Sequence, residues 1–147
     1  MSFHSVAQKK VKHLIHGKPH YTIAPDCTVQ NAANLMKKKN ISALSVMQDK
    51  QLSGVVCERD IVHDCLGSLD MDPMTTPVSR IMTTPPITVD KNMTLGITAV
   101  TMIENNIRHV PVTAGAKVLG MISIQQIVEE FKMGVESSIA GQLFVAA

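Results

Sequence analysis

Two pairs of side chains with the same spacing are the best candidates for chemistry in this chain. Cys57 and Asp60 follow an apolar segment, and Ser123 and Gln126 occupy the same places 66 residues later. In each pair the two residues stand three apart in what we predict to be the first turn of a helix, so they would face the same space. A helix N-terminus favours anions, because its first N–H groups are free and its dipole is positive there. The spacing therefore indicates two related places where an anionic group would be favoured.

The elements that position the first pair are predicted from hydrophobic periodicity and turn residues. We expect a helix over residues 5–16, a short strand at 21–23, a helix capped by Thr28 that ends at Lys39, a hairpin of strands 43–47 and 52–56, and a helix from Glu58 to about Leu66. A linker rich in glycine and proline follows at 67–77. The order then repeats as the segment 78–82, a strand at 87–89, a helix from Thr94 to about Asn105, a hairpin of strands 109–113 and 117–122, and a helix over 124–133.

The second half of the chain is a copy of the first. Thr22–Leu66 aligns with Thr88–Lys132 without a gap, and ten of the 45 aligned pairs are identical. Two copies are too few for a solenoid. We therefore expect an α+β fold in which two pseudo-symmetric β-α-β-β-α repeats are packed as one module, with clefts between them. The predicted division is repeat 1 at residues 8–68, a linker at 69–77, repeat 2 at 78–134 and a C-terminal tail at 135–147.

Composition excludes several classes of function. The formal charge of +2 gives no nucleic-acid footprint, and no apolar run approaches the roughly 18 residues that a membrane span needs. Aromatic residues make up only 3% of the chain, so the core must be aliphatic and rich in methionine. The three cysteines are an odd number without metal-ligand spacing, which indicates reduced thiols and a cytoplasmic protein. Lysines without acids before Asp26 could suit a mitochondrial targeting segment, but no arginine precedes Arg59.

The chain also lacks the usual arrangements for catalysis. We find no nucleophile with a matching base, no metal-binding cluster and no phosphate loop of the Walker type. His13, His16 and His20 do not form a metal site, since Gly17 and Pro19 end the helix before His20. We therefore expect neither an enzyme nor a required cofactor or metal.

Taken together, these patterns resemble a tandem pair of CBS (cystathionine-β-synthase) domains, also called a Bateman module. The resemblance covers Val11 to about Met133 and is greatest to small stand-alone CBS-pair proteins. It depends on the repeated β-α-β-β-α order, on Gly54 and Gly120 before the strand-to-helix junctions, and on two segments, Val78–Thr83 and Asn106–Val112.

The resemblance implies a regulatory role, such as energy sensing, in which the clefts bind adenosine compounds. These are most often AMP, ADP or ATP, and sometimes NAD or S-adenosylmethionine. The family signature is glycine, then a Ser or Thr that contacts phosphate, then an Asp that accepts hydrogen bonds from both ribose hydroxyls. The first copy keeps the carboxylate, as Gly54, Cys57 and Asp60, but replaces the hydroxyl by a poorer donor. The second keeps the hydroxyl, as Ser123, but has Gln126 in place of the carboxylate.

Further residues join the expected nucleotide sites on the same basis. The adenine at the Asp60 cleft would rest on aliphatic side chains and backbone amides near Ile23, Ala43 and Leu44. Arg108 and His109 match family positions that often reach phosphate, and Arg80 is a further candidate. Simpler interpretations remain open: Asp60 could only stabilise its helix, Cys57 could be a small core residue, and the arginines could be exposed charges.

Partners are expected as well. The faces of the helices 58–66 and 124–133 have little polar cover, which favours a homodimer, and the regulated protein partner is unknown. The apolar segment Leu143–Val145 is expected to dock on the module or on a second copy. The rival interpretation is a non-catalytic interaction or dimerisation module whose nucleotide sites have degenerated.

Overall fold

A computed structural model describes the backbone of residues 2–146 and the side chains of residues 2–141. The chain divides into two compact units. One is continuous in sequence, Pro19–Ile87, and is called the contiguous unit. The other, called the split unit, combines the first eighteen residues with the chain from Thr88 onwards.

The contiguous unit contains a three-stranded sheet with helices on one side. Strand β1 (Thr22–Ile23) runs parallel to β2 (Ala43–Gln48), which pairs antiparallel with β3 (Gln51–Cys57). Helix α3 (Val29–Lys39) lies between β1 and β2 in sequence, and α4 (Glu58–Asp60) follows β3 and continues as a π-helical segment, Ile61–Leu66. One face of the sheet carries the core residues, including Ile23, Leu44, Val46 and Val56.

Local signals explain these elements. The Thr28 hydroxyl accepts a hydrogen bond from the Asn31 N–H at 3.1 Å and so caps α3, as predicted. The helix ends at Asn40, whose φ of 53° is left-handed. The β2–β3 turn has positive φ at both Asp49 and Lys50, the arrangement that suits the twist of a two-residue hairpin.

The split unit repeats this plan. Strand β4 (Val89–Asp90) runs parallel to β5 (His109–Ala114), and β5 pairs antiparallel with β6 (Lys117–Ser123). Helix α5 (Leu95–Glu104) is capped by Thr94, and α6 (Ile124–Ala146) follows β6 directly. The predicted helix 124–133 is therefore only the first part of α6. The expected docking of Leu143–Val145 concerns side chains outside the described residues.

The N-terminal helix expected over residues 5–16 is wrong in one respect, because it is broken in two. Helices α1 (Phe3–Ala7) and α2 (Lys12–Ile15) are separated by a bridge between Lys10 and Thr94. The Lys9 carbonyl accepts from the Leu95 N–H at 2.8 Å, which bends the chain at this point.

The segments that precede the two repeats pack in an unexpected way. The first eighteen residues join the second repeat in the split unit, and Val78–Thr83 joins the first repeat in the contiguous unit. Thr83 and Val55 exchange backbone hydrogen bonds of 2.8 and 3.1 Å. The compact units therefore do not follow the sequence repeats, and the boundaries 8–68 and 78–134 remain a prediction about sequence rather than about packing.

Gly54 and Gly120 lie where the two segments that precede the repeats contact the sheets. A Cβ atom at Gly54 would lie 2.7 Å from the Thr83 carbonyl oxygen and 2.8 Å from the Met82 sulfur. A Cβ atom at Gly120 would lie 3.2 Å from the Cβ of Ile15. Each glycine thus allows a close approach of the incoming segment to its sheet.

Candidate functional site

Cys57 and Asp60 form the cap of a helix. Strand β3 ends at Cys57, which is the N-cap residue of α4. The Asp60 carboxylate turns back, and its Oδ2 accepts from the Cys57 backbone N–H at 2.8 Å and from the Cys57 thiol at 3.2 Å. This is a capping box, with both residues half-buried. The two bonds use one oxygen of a group that can accept about four hydrogen bonds, so the carboxylate keeps acceptor capacity.

Ser123 and Gln126 form the same cap at the start of α6. Gln126 Oε1 accepts from the Ser123 backbone N–H at 2.8 Å and from the Ser123 hydroxyl at 3.2 Å. The backbone N–H of Gln126 in turn donates to Ser123 Oγ at 3.2 Å. The cap orients the amide, because the Ser123 N–H needs an acceptor. The other end of the Gln126 side chain is an NH₂ group, which only donates hydrogen bonds. A sugar hydroxyl pair would therefore meet a donor here and a carboxylate at Asp60.

The Cys57 thiol is a donor rather than a reactive thiolate. Burial raises the pKa of this thiol, and the neighbouring Asp60 carboxylate adds to the rise. The protonated sulfur then donates to Asp60, as the Ser123 hydroxyl does to Gln126. The interpretation of Cys57 as a small packing residue fits this environment better than a redox role.

The aliphatic residues predicted to hold an adenine differ in their placement. Ile23 and Leu44 belong to the core, and the Leu44 side chain is fully buried, so these two residues offer a ligand only their backbone. Ala43 lies on the opposite face of β2, directly across from Cys57. Ala43 is therefore the residue of this set that pairs with the capping box, but its side chain is buried as well.

His20, which the sequence pattern suggested only as a rejected metal ligand, lies at the same end of the sheet. Its Nε2 is 2.8 Å from the hydroxyl of Ser45, a fully buried polar residue of β2. Burial lowers the pKa of His20 below its usual value, so the half-buried imidazole is neutral at neutral pH. The register of β1 against β2 could have revealed this position, but only after the pairing of these strands was known.

Arg108 and His109 lie beside the second cap. The Arg108 carbonyl accepts from the Ile124 N–H at 2.8 Å, and His109 is opposite Ser123 in the β5–β6 hairpin. Burial, together with the charge of Arg108, lowers the pKa of His109 to about 4. The split unit therefore places one exposed guanidinium and one neutral imidazole near the Ser123–Gln126 cap.

Arg80 belongs to the segment that precedes the second repeat. It ends the short 3-10 helix Val78–Arg80 and is exposed. The Ser68 hydroxyl, which donates to the Asp70 carboxylate, is the main cause of the lowered pKa of Asp70, and the charge of Arg80 adds to it. The candidate residues thus fall into two sets. The contiguous unit holds Ile23, Ala43, Leu44, Cys57, Asp60 and Arg80, and the split unit holds Arg108, His109, Ser123 and Gln126.

Comparison with protein families decides the identity of this fold. A family model of the CBS domain matches the chain twice, over residues 11–67 and 78–132. The chain belongs to the CBS-domain family. Solved CBS structures also share its architecture of two three-stranded sheets with helices.

Three related CBS proteins illustrate this membership. The CBS domain-containing protein YhcV of Bacillus subtilis is 31% identical over 103 residues, which are 70% of this chain and 72% of YhcV. A hexameric CBS-CP12 protein from bloom-forming cyanobacteria is 30% identical with a TM-score of 0.74, covering 82% of this chain and 70% of that one. The CBS domain pair of protein MJ0100, solved with 5′-methylthioadenosine and S-adenosyl-L-methionine, is 26% identical with a TM-score of 0.75, covering 84% and 96%.

The described part of this CBS protein also lacks the features of two other kinds of site. Among the side chains of residues 2–141 there is no group of three His, Cys, Asp or Glu that could hold a metal ion. Within the described part of the chain, no helix is both long and apolar enough to cross a membrane. The two capping boxes and the residues beside them remain the candidate sites.

Proposed function

We propose that this CBS pair is a regulatory module, without catalysis, that binds an adenosine-containing nucleotide beside Asp60. The observation that carries the proposal is the half-buried Asp60 carboxylate, which keeps acceptor capacity after capping α4. A carboxylate can accept hydrogen bonds from both hydroxyls of a ribose, and charge-assisted bonds of this kind are strong. AMP, ADP or ATP is the first choice of ligand, and NAD or S-adenosylmethionine is the second. The MJ0100 complex supports an adenosine compound, since both of its ligands contain adenosine.

The split unit is expected to bind the same ligand more weakly. The only acceptor oxygen of the Gln126 side chain accepts the hydrogen bonds of the Ser123 cap, so the rest of the amide is an NH₂ group that only donates. A ribose there would lose the charge-assisted pair, a difference of about 1.5–3 kcal/mol. Ser123 and Arg108 would still favour a phosphate group, so the deficiency concerns the sugar.

Calorimetric titration with AMP, ADP, ATP, NAD and S-adenosylmethionine tests the proposal. We expect Asp60→Ala to weaken binding by about 1.5–3 kcal/mol, which is an order of magnitude or more in Kd. Asp60→Asn retains a capping oxygen without the charge and should lie between the wild type and the alanine variant. These losses should be larger for ribonucleotides than for 2′-deoxy analogues.

Gln126→Ala is the matched control, because it removes the equivalent cap from the split unit. It should destabilise the protein about as much as Asp60→Ala does, while the strongest nucleotide site remains intact. Unchanged affinity in Asp60→Ala would refute the assignment of this residue.

A second candidate function, assembly through a homodimer, has its own support. Ile97, Val100 and Ile103 are each more than half exposed on one face of α5. The corresponding positions of α3 are polar, namely Asn31, Asn34 and Lys37. The fold therefore does not require apolar residues there, and a second copy of the chain is the partner that we propose for this face.

The predicted faces of α4 and α6 support the same idea. Val62 and Leu66 follow α4, Val128 and Met133 lie on α6, and all four are more than half exposed. Light scattering at micromolar concentration should give about twice the monomer mass of 16.0 kDa. A dimer that binds none of the nucleotides would favour assembly as the main function, whereas a monomer would contradict it. We also propose a cytoplasmic location, which suits the free thiols of Cys27, Cys57 and Cys65.

A further inference from the structure

Helix α6 continues well past the point at which its counterpart in the first repeat ends. The helical segment that follows α4 ends at Leu66, which corresponds to Lys132, whereas α6 runs on to Ala146. Glu136 is the only charged residue of this continuation, residues 133–146. The repeat fold therefore does not require the continuation, and its composition favours contact with another surface over full exposure to water.

One side of α6 is covered by the chain itself. Helix α1 packs against α6, and the ring centroids of Phe3 and Phe131 lie 4.7 Å apart. Ile127 and Gly134, seven residues apart, are buried, so the side of the helix that carries them faces the split unit. A partner of α6 must therefore approach from another side.

A stripe of apolar side chains lies on the neighbouring side of α6. Val128, Val135 and Ile139 are separated by seven and four residues, which places them on one face of the helix, and they are 57%, 41% and 51% exposed. Lys132 and Glu136 flank this stripe and form an exposed ion pair of 3.8 Å within the helix. The α6 stripe, as we call these five residues, thus combines apolar surface with one positive and one negative charge.

The order of these residues makes the α6 stripe complementary to itself in an antiparallel pair of helices. When two copies of α6 cross near residue 134, the two Val135 side chains meet at the crossing, and Ile139 of one copy lies level with the partner's Val128. Lys132 lies level with the partner's Glu136. At 1.5 Å of rise per residue, all of these levels agree within about 3 Å along the helix axis. A parallel pair would instead set each Lys132 against the partner's Lys132, and like charges repel.

We propose that two copies of this chain associate through an antiparallel pair of α6 helices, formed by the α6 stripe and centred near residue 134. This inference rests on the homodimer proposed above and deepens it by naming the elements that meet. A two-fold axis brings the same surface of both copies together, so a self-complementary stripe fits a second copy better than an unrelated protein. The reciprocal pairs of Lys132 with the partner's Glu136 fix the direction of the helices, because charge complementarity sets register more than affinity.

Two charge variants test this pairing. Lys132→Glu gives an α6 with glutamates at both positions, and Glu136→Lys gives one with lysines at both. At low salt each variant alone should dimerise about 5–30-fold more weakly than the wild type, because two attractive pairs become repulsive. An equimolar mixture should recover dimers, and native mass spectrometry should find the heterodimer in excess over both homodimers. An ion pair that acted only within one helix would give no such preference.

Controls separate the α6 pairing from the homodimer itself. Lys38→Glu makes the same change of charge at an exposed residue of α3 and should leave the dimer unchanged, whereas Ile139→Lys should shift the mass in light scattering towards 16.0 kDa. A heterodimer no more abundant than random mixing gives, or a dimer unaffected by Ile139→Lys, would overturn the α6 pairing. If Ile103→Lys dissociates the dimer in that case, the homodimer stands and only the α6 pairing fails. A monomeric wild type would contradict both.

Discussion

The two glycines before the helix caps provide an internal comparison, since Gly54→Ala and Gly120→Ala make the same change at equivalent positions. A methyl group at Gly54 would lie 2.7 Å from the backbone oxygen of Thr83, whereas one at Gly120 would lie 3.2 Å from the side chain of Ile15. Backbone atoms in a paired strand cannot move without stretching hydrogen bonds, and the Thr83–Val55 pair has bonds of 2.8 and 3.1 Å. The first substitution should therefore cost more than the second.

The magnitude follows from three effects. Forcing an extra carbon into a filled site costs about 1–3 kcal/mol, and weakening a backbone pair adds about 0.5–1.5 kcal/mol. The change from glycine to alanine returns about 0.4–1 kcal/mol by restricting the unfolded chain. Gly54→Ala should thus lower the free energy of unfolding by roughly 0.5–4 kcal/mol, with about 2 kcal/mol as the central value. At Gly120 the steric cost is smaller, and the stabilisation from restricting the unfolded chain nearly cancels it. Gly120→Ala should therefore change the free energy of unfolding by less than about 1 kcal/mol.

Urea denaturation followed by far-UV circular dichroism measures both differences, and thermal unfolding should show a decrease of roughly 2–4 °C for each kcal/mol in a chain of this size. Met82→Ala in the Gly54→Ala background should recover part of the loss, because it removes the Met82 sulfur, which would lie 2.8 Å from the new carbon. Equal destabilisation by Gly120→Ala and Gly54→Ala, or a neutral Gly54→Ala, would contradict this steric difference between the two glycines.

Two further predictions concern the split unit. Gln126→Asp, made in the Asp60→Ala background, should raise the affinity for AMP more than the affinity for its 2′-deoxy analogue in a calorimetric titration. The new carboxylate should keep the helix cap, since Asp60 makes the equivalent bond at 2.8 Å. No gain in affinity would contradict our account of Gln126 as the cause of weak binding. Ile103→Lys places on the exposed face of α5 the residue found at the corresponding position of α3, Lys37. It should shift the mass measured by light scattering towards 16.0 kDa, whereas Lys37→Ala should not. An unchanged dimer mass would exclude this face of α5 as the dimer interface.

Local features of the fold were predictable because they depend on neighbouring residues. Thr28 and Thr94 cap their helices as expected, and the hairpins form where the turn residues indicate. The alignment of the two halves also led to the CBS family, which the family match confirms. These signals are contained within a few residues or within the repeat itself.

Features that depend on distant contacts were not predictable in the same way. Nothing near Val78 or Val11 in the sequence says which repeat each segment completes, since hydrophobic periodicity describes a face and not its partner. The contact of His20 with Ser45 was not foreseen for the same reason, because it depends on the pairing of β1 with β2. The capping role of Asp60 was foreseen as an alternative to ligand contact, and the binding role stays a prediction.

The split unit is built from two distant parts of the sequence, and this affects how the protein folds during synthesis. The contiguous unit is complete once residue 87 has left the ribosome. The first eighteen residues, in contrast, can pack only after β4, α5, β5 and β6 have been synthesised. Val6, Val11 and Leu14, which are buried in the folded chain, are exposed during that interval. Closing a loop across the whole contiguous unit costs entropy that grows only slowly with its length, so a unit already folded in between shortens the search. Synthesis from the N-terminus therefore favours an order in which the contiguous unit forms first and the chain's own beginning is added last.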